Sequence, residues 1–186
     1  SWRVNCTRFK RVQLARQLLA TDLSLVQVAN HAGYGSVSQF NREIRKIFHS
    51  TPSALRKARG SSQGTQTLSL TLPVHQPYNF DWMFDYLRIR AMEGLEEVVG
   101  HRYVRHLPHQ QGSVVVAREG QNLRVHLPLN AGSIHTLLRR IVRIFDLEAD
   151  SSAIDAHLVQ HDLLAPWVKQ APGLRVPGAW DGFEIA

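Results

Sequence analysis

Hydrophobic residues follow a helical period through the first sixty positions of the chain. We predict a basic amphipathic helix over Thr7–Ala20, a short helix over Leu25–His31 and a third helix that ends near Phe48. Ser-x-x-Gln begins each of the last two helices, a spacing in which the serine hydroxyl accepts from the backbone N–H three residues on. The stretch Gly33-Tyr34-Gly35 separates them, because glycine adopts the positive φ that other residues resist. Two short helices joined by a tight glycine turn are typical of a helix-turn-helix.

The third of these helices has one apolar stripe and one polar, basic face. The apolar stripe consists of Val37, Phe40, Ile44, Ile47 and Phe48. The opposite face carries Ser38, Gln39, Arg42, Arg45 and Lys46. A short basic helix over Ser53–Arg59 follows the cap and proline of Thr51-Pro52. An ordinary helical hairpin with a solvated charged face has the same pattern and stays open as an alternative.

From residue 68 the hydrophobic period changes to two. Leu68, Leu70 and Leu72 alternate with polar residues and predict a half-buried strand. Three more strands are expected, over Arg102–Leu107, Ser113–Arg118 and Asn122–Leu129. Helices are expected over Asn79–Met92, from Ser133 to Phe145 and over Ser151–Leu164, before a tail rich in proline and glycine that turns helical near Trp180. This order predicts an α+β domain, in which helices cover one face of an antiparallel sheet.

A small polar stretch from Gly60 to Thr67 separates the two patterns. Glycine and serine without apolar anchors cannot bury enough surface to become ordered, so we place a domain boundary here. The predicted domains are the helix-turn-helix half with its linker helix over residues 1–59, the linker over 60–67 and the α+β domain over 68–178.

Positive charge is concentrated in the first third of the chain. Residues 1–60 carry eleven Lys and Arg against Asp22 and Glu43, whereas residues 61–186 carry eleven against thirteen acidic residues. A basic segment joined to a mildly acidic one is the electrostatic footprint of phosphate binding. We therefore expect double-stranded DNA as the partner.

The remaining composition narrows the functional classes. Cys6 is the lone cysteine, which excludes a disulfide framework and a cysteine zinc site and favours a reducing compartment. No run approaches the roughly 18 apolar residues of a membrane span, so we expect a cytoplasmic protein with no membrane partner. Ser1 is neither a starting methionine nor part of a signal peptide, and it is expected to be an internal residue of a longer protein.

The histidines and loops of the chain do not predict a metal or a cofactor. Ten histidines are present, but they lack the carboxylate or cysteine partners at defined spacing that a metal site needs. Those on or near predicted strands are His101, His106, His109 and His126. There is no glycine-rich phosphate loop either, so neither a metal nor a cofactor is expected.

The first segment resembles the C-terminal half of an AraC-type DNA-binding domain, whose helix-turn-helix is homeodomain-like. The resemblance is carried by ARQLLATDLSLVQVANHAGYGSVSQFNREIRKIFHSTPSALR, with its linker helix, its Ala-Gly-Tyr-Gly-Ser turn and Thr51-Pro52-Ser53. Domains of this type have two helix-turn-helix units, and the sequence holds the second. The resemblance implies an all-α DNA-binding domain.

Positions in that motif imply which side chains meet DNA. The residues expected to face bases are Val37, Ser38, Gln39, Asn41 and Arg42. Arg42 matches guanine and Gln39 or Asn41 matches adenine, each bidentate pair giving roughly 1–3 kcal/mol of discrimination. The residues expected to meet phosphate and set the register are Arg45, Lys46, Arg56 and Lys57. An Arg42 that is merely solvated, or paired with a neighbour, is the alternative.

The second segment resembles the N-terminal domain of AlkA-type 3-methyladenine DNA glycosylases. The resemblance is carried by Tyr78-Asn79-Phe80-Asp81-Trp82-Met83, by Ile144-Phe145-Asp146-Leu147 and by the tail Pro172-Gly173-Leu174-Arg175-Val176-Pro177-Gly178. It implies a TATA-binding-protein-like antiparallel sheet with helices. It also implies that the helix after the first strand offers an aromatic residue to the base pocket, here Tyr86, with Trp82 one turn earlier. Ordinary core or interface packing is the alternative for both aromatic residues.

No catalytic residue is expected within these 186 residues. In the resembled family the catalytic aspartate, the DNA-gripping hairpin and the wedge belong to a subsequent helix-hairpin-helix domain. The resemblance implies that residues 179–186 begin that domain, and that it packs on residues 68–186. Asp181 and Glu184 are expected to cap the helix that begins it.

The leading hypothesis joins both resemblances, since AraC-type halves are found fused to such glycosylases in bacteria. The chain is then the DNA-binding fragment of a transcription regulator and base excision repair glycosylase, monomeric, nucleoid-associated and inactive as an enzyme alone. The alternative is an AraC-type regulator with a C-terminal sensing or interaction domain and no repair activity. A third reading gives the second domain only a packing role.

Overall fold

The structure, a computed structural model, describes residues 11–59, 66–108 and 112–180. Two compact units divide the chain. One holds the residues up to Leu68 together with Leu129–Leu138, and the other holds Ser69–Pro128 together with the residues from Arg139. Parts of the predicted linker (60–65) and of the predicted terminal segment (181–186) lie outside the described residues, as do His109, Asp181 and Glu184.

The first unit begins with four helices. They are α1 (described over residues 11–18), α2 (Leu25–His31), α3 (Val37–Phe48) and α4 (Pro52–Arg59). Ser24 and Gln27 form the predicted capping box, and the Ser36 hydroxyl accepts from the Gln39 N–H. α3 ends at His49, whose φ of 52° lies in the left-handed region.

One apolar core holds these helices together. Its side chains include Val12, Ala15, Leu18 and Leu19 of α1, Val28 and Ala29 of α2, and Phe40 and Ile44 of α3. Burial of each large side chain contributes on the order of 1.5–3 kcal/mol. Apolar side chains of all three helices therefore form this core.

The second unit is built on a five-stranded sheet of order β1-β5-β4-β3-β2. The strands are β1 (Thr67–Pro73), β2 (Glu96–Val99), β3 (Arg102–His106), β4 (Ser113–Glu119) and β5 (Asn122–Pro128). Antiparallel pairing joins β2 to β3, β3 to β4 and β4 to β5. Opposite residues include Val98 and Tyr103, Val104 and Val115, and Val116 and Val125. The predicted helix-turn-helix followed by an antiparallel α+β sheet is confirmed.

Four more helices complete the fold, α5 (Phe80–Ile89), α6 (Ile134–Ile144), α7 (Ser151–Leu158) and α8 (Ala165–Gln170). Asn79 caps α5 by accepting from the Trp82 N–H. α5 lies against β2 and β3, and an aromatic cluster of Phe84, Tyr103 and Phe145 forms the centre of the core there.

One predicted helix has different bounds in the structure, and one strand of the structure was not predicted. The helix predicted over Ser151–Leu164 ends at Leu158, and a separate short helix, α8, begins after the predicted range, at Ala165, with Pro166 in its first turn. β2 was not predicted. Its inward face carries Glu96 and Val98, and on its outward face Val99 is 72% exposed. The strand therefore lacks the alternation of apolar and polar residues by which strands are identified.

The tail after α8 is fixed to the second unit by buried polar contacts. Arg175, 3% exposed, donates to the backbone carbonyls of His75, Asp146 and Ala149. Its guanidinium carbon also lies 5.1 Å from the centroid of the Tyr78 ring. A buried guanidinium needs such acceptors, so this stretch is held by its own donors rather than by secondary structure.

Candidate nucleic-acid interface

The polar face of α3 points outward, and Phe40 and Ile44 at the centre of its apolar stripe are buried, whereas Ile47 and Phe48 are half-buried. Phe40, Glu43 and Ile44 are buried, whereas Ser38, Arg42, Arg45 and Lys46 are exposed. The other three residues predicted to face bases, Val37, Gln39 and Asn41, are half-buried. A helix period of 3.6 produces this division, because residues three and four apart share a face.

Arg42 projects from the centre of that face. Among residues 11–59, 66–108 and 112–180, no hydrogen bond or ion pair engages its guanidinium. Ser38 is exposed one turn earlier on α3, and Arg45 one turn later. The face therefore presents an arginine guanidinium that no group of the described ranges engages.

Aromatic packing fixes α3 beneath that face. The Phe40 ring, wholly buried, lies 5.3 Å from the ring of Tyr34 at an interplanar angle of 60°. Tyr34 itself belongs to the glycine turn that precedes α3. Tilted aromatic pairs of this kind add about 0.5–1.5 kcal/mol beyond burial.

The turn between α2 and α3 is a Schellman motif. Tyr34 N–H donates to Ala29 O and Gly33 N–H donates to Asn30 O, each at 3.0 Å. Gly33 has a φ of +79°, a left-handed conformation that glycine adopts without steric cost. The predicted role of this glycine in breaking α2 agrees with the geometry.

The basic residues predicted to meet phosphate do not all have the same surroundings. Arg45, Lys46 and Lys57 are exposed. Arg56 is half-buried, and its Nη2 donates to the carbonyl of Leu23, which ties α4 to the loop before α2. Hence part of the positive charge of this segment stabilises the fold.

A second arginine of the basic segment has a structural contact that the sequence did not indicate. Arg11 Nη1 donates to Gly33 O at 3.2 Å, and its guanidinium carbon lies 5.2 Å from the Tyr34 ring centroid. The residues lie 22 positions apart, so no local pattern signals the pair.

The second unit contains an open cavity of about 520 Å³, a volume typical of small-molecule sites. Tyr86 lies in its wall. The remaining lining residues are Leu87, Arg90, Met92, Glu96, Ile144, Pro177, Gly178 and Ala179. Trp82 is half-buried and stacks on Tyr86, with ring centroids 5.4 Å apart, so it supports the wall rather than lining it.

One lining residue of this cavity, Glu96, belongs to a largely buried network of charged and polar groups. Glu96 Oε1 accepts from Tyr103 OH at 2.6 Å and from Arg105 Nη1 at 2.8 Å. Burial, and then the neighbouring Glu96 carboxylate, raise the pKa of Tyr103 well above its usual range. The phenol therefore stays neutral and donates to the carboxylate at every ordinary pH.

Two of the histidines singled out by sequence, His101 and His106, contact other side chains. His101 Nε2 lies 2.6 Å from Asp81, and His106 lies 2.9 Å from the Ser113 hydroxyl. Within the described ranges, no group of three His, Cys, Asp or Glu residues is arranged to hold a metal ion. Among the helices that the structure describes, none has both the length and the apolar character needed to cross a membrane.

Comparison with known proteins gives two family matches. The AlkA N-terminal domain family matches residues 69–181, and a family described as helix-turn-helix domain matches residues 5–58. Together these matches cover most of the chain.

Two relatives are similar to long stretches of this chain. The "Probable bifunctional transcriptional activator/DNA repair enzyme AlkA" of Mycobacterium tuberculosis (strains CDC 1551 / Oshkosh and ATCC 25618 / H37Rv) is 35% identical over 188 residues, which covers 96% of this chain and 38% of that protein. "DNA-3-methyladenine glycosylase 2" of Escherichia coli (strain K12) is 29% identical over 119 residues, which covers 61% of this chain and 40% of that protein. The chain thus spans about two fifths of the length of these relatives.

Proposed function

Because this chain belongs to the AlkA N-terminal domain family, with a helix-turn-helix domain ahead of that domain, we propose that it is the DNA-binding part of a bifunctional transcription regulator and DNA alkylation-repair glycosylase. The observation that carries the proposal is the exposed polar and basic face of α3, supported on an apolar core. Both resemblances drawn from the sequence are confirmed by the family matches. The double-stranded partner is inferred from the motif, since such helices enter the major groove.

Within this proposal, the side chains of α3 and α4 divide by task. Arg42 reads a guanine edge, and Gln39 or Asn41 reads adenine, while Val37 and Ser38 contact the neighbouring base edges. Arg45, Lys46 and Lys57 contact phosphates and set the register. Arg56 contributes positive potential at the same surface while it ties α4 to Leu23.

The second unit supports repair rather than performing it. We infer that Tyr86 forms part of the wall that receives an extruded base, with Trp82 stacked behind it. The glycosylase domain of the complete protein packs on residues 68–186 and supplies the catalytic carboxylate. The chain described in this structure accordingly binds DNA as a monomer in the bacterial cytoplasm, at the nucleoid, and releases no base from alkylated DNA by itself.

The DNA-reading role is tested with Arg42→Ala. A preferred duplex is first selected from a random pool, and affinities are measured by fluorescence anisotropy on that duplex and on a scrambled one. We expect a loss of roughly 5- to 150-fold on the selected duplex, the equivalent of about 1–3 kcal/mol, and little loss on the scrambled duplex. Equal loss on both would reduce Arg42 to a phosphate contact.

Base release is the test of the second unit. The chain is incubated with duplexes containing 3-methyladenine, and the free base is quantified by chromatography against a glycosylase standard. We expect none above the rate of the uncatalysed reaction, because extrusion and a positioned carboxylate are both needed. Release above that rate would place a catalytic group within these 186 residues.

The cavity of about 520 Å³ also favours a second candidate function, a regulator whose second domain senses a small ligand. The two functions differ in the kind of domain expected after residue 186 in the complete protein. A helix-hairpin-helix with a catalytic aspartate there supports repair, whereas an unrelated domain or no further domain supports sensing.

A further inference from the structure

The glycine turn between α2 and α3 is covered by a residue far away in sequence. A Cβ on Gly33 would lie 2.8 Å from both Cγ and Nδ1 of His135 and 3.1 Å from its Cβ. Such distances leave no room for a side chain at residue 33, so the imidazole of His135 can pack there only because residue 33 is glycine. His135 lies in the first turn of α6, and Leu129–Leu138 belongs to the same compact unit as the helix-turn-helix.

The side chain of Arg11 contacts the backbone of the same turn. Its hydrogen bond to Gly33 O and its position over the Tyr34 ring connect α1 to the turn. The Tyr34 ring in turn packs on Phe40, which is wholly buried in α3. Since packed side chains transmit displacement, a movement of the turn changes the direction of α3.

We propose that His135 is a positioning residue for DNA binding, whose imidazole, packed on Gly33, fixes the turn that aims α3 at the major groove. The proposal rests on the proposed function, in which α3 reads DNA. Recognition requires side chains held within about 0.5 Å and 10–20° of the productive geometry, so loss of a support lowers affinity without removing a DNA contact. Residue 135 lies outside residues 5–58, and the helix-turn-helix family match therefore gives it no such role.

The contact is tested by a double-mutant cycle of Gly33→Ala and His135→Ala. Gly33→Ala has two costs, the left-handed conformation at φ +79° and the overlap with the imidazole, and only the overlap is removed by His135→Ala. We expect Gly33→Ala to lower the urea midpoint and the hydrogen-exchange protection of α3 amides more in the wild-type background than in the His135→Ala background.

Gly94 provides a matched control for the backbone cost. Its φ is +76°, close to that of Gly33, and no described atom lies within 4 Å of the position of a Cβ there. Gly94→Ala combined with His135→Ala should give additive shifts, because the first substitution meets only the backbone cost.

DNA binding is measured on the same variants, with the duplex selected for wild type and over a range of salt concentrations. We expect His135→Ala to lower affinity about 3- to 10-fold with an unchanged slope of log K against log salt, since no phosphate contact is lost. His135→Asn, which keeps a planar polar group near the turn, should recover part of that loss.

Each outcome decides a different part of the proposal. Additive effects of Gly33→Ala and His135→Ala on unfolding would overturn the contact. Coupled unfolding with unchanged DNA affinity in His135→Ala would overturn the positioning role. A wild-type chain that binds no duplex, although its unfolding is coupled, would overturn the proposed function itself and the positioning role with it.

Discussion

Removing one exposed cation from α3 should change how DNA binding depends on salt by a defined amount. Three of the residues proposed to contact phosphate, Arg45, Lys46 and Lys57, are exposed and free to reach the backbone of DNA. With about 0.9 counterions released per phosphate contact, three contacts give a slope of log K against log salt of about −2.7. Affinity should then fall about 40-fold between 50 and 200 mM salt.

Lys46→Ala is expected to reduce that slope by about 0.9, so that the same change in salt lowers affinity only about 12-fold. The assay is fluorescence anisotropy with a labelled duplex at four or more salt concentrations. Arg139→Ala is the matched control, because Arg139 is also exposed and has the same charge but lies on α6, outside the helix-turn-helix. An identical slope in wild type and Lys46→Ala, or an equal change in Arg139→Ala, would refute the assignment of phosphate contacts to α3.

Two further predictions concern stability. Arg175→Met should destabilise the chain by on the order of 3–5 kcal/mol in urea unfolding, because three backbone carbonyls lose the buried guanidinium that donates to them; a change below 1 kcal/mol would mean that solvent replaces those hydrogen bonds. The raised pKa of Tyr103 makes its contribution to stability fully present below about pH 10, the pKa of an unfolded tyrosine, and progressively lost at higher pH. Urea unfolding should therefore show wild-type stability falling by about 1.4 kcal/mol per pH unit more steeply than that of Tyr103→Phe above pH 10, and parallel curves would contradict this.

The elements predicted best from sequence are those whose signal is local. The division of α3 into a buried stripe and a polar face depends only on the helical period, and the β4–β5 hairpin depends only on alternation around a turn. The cap at Ser24 is likewise specified within four residues. Patterns of this length are complete within the stretch that they predict.

The features that sequence missed depend on partners far away in the chain. β2 has a glutamate, Glu96, at an inward position because Tyr103 and Arg105 donate hydrogen bonds to its carboxylate. Both donors lie on β3, so the sequence of β2 alone does not indicate them. Arg11 is included from sequence in the positive charge assigned to DNA binding, although its guanidinium donates to a backbone carbonyl of the protein. The cavity joins Tyr86 to residues 177–179, which lie some ninety positions later.

The stretch from Gly173 to Gly178 determines how far the second unit can be shortened. Gly173 O accepts from Asn79 N–H, which is the cap of α5, and a Cβ on Gly173 would lie 2.5 Å from the Pro77 carbonyl. Gly178 N–H donates to Arg143 O at the end of α6. A version trimmed immediately after the last helix would keep every strand and helix, yet it would expose the beginning of one helix and the end of another. The smallest stable form of this unit therefore extends through irregular chain that an inspection of secondary structure alone would discard.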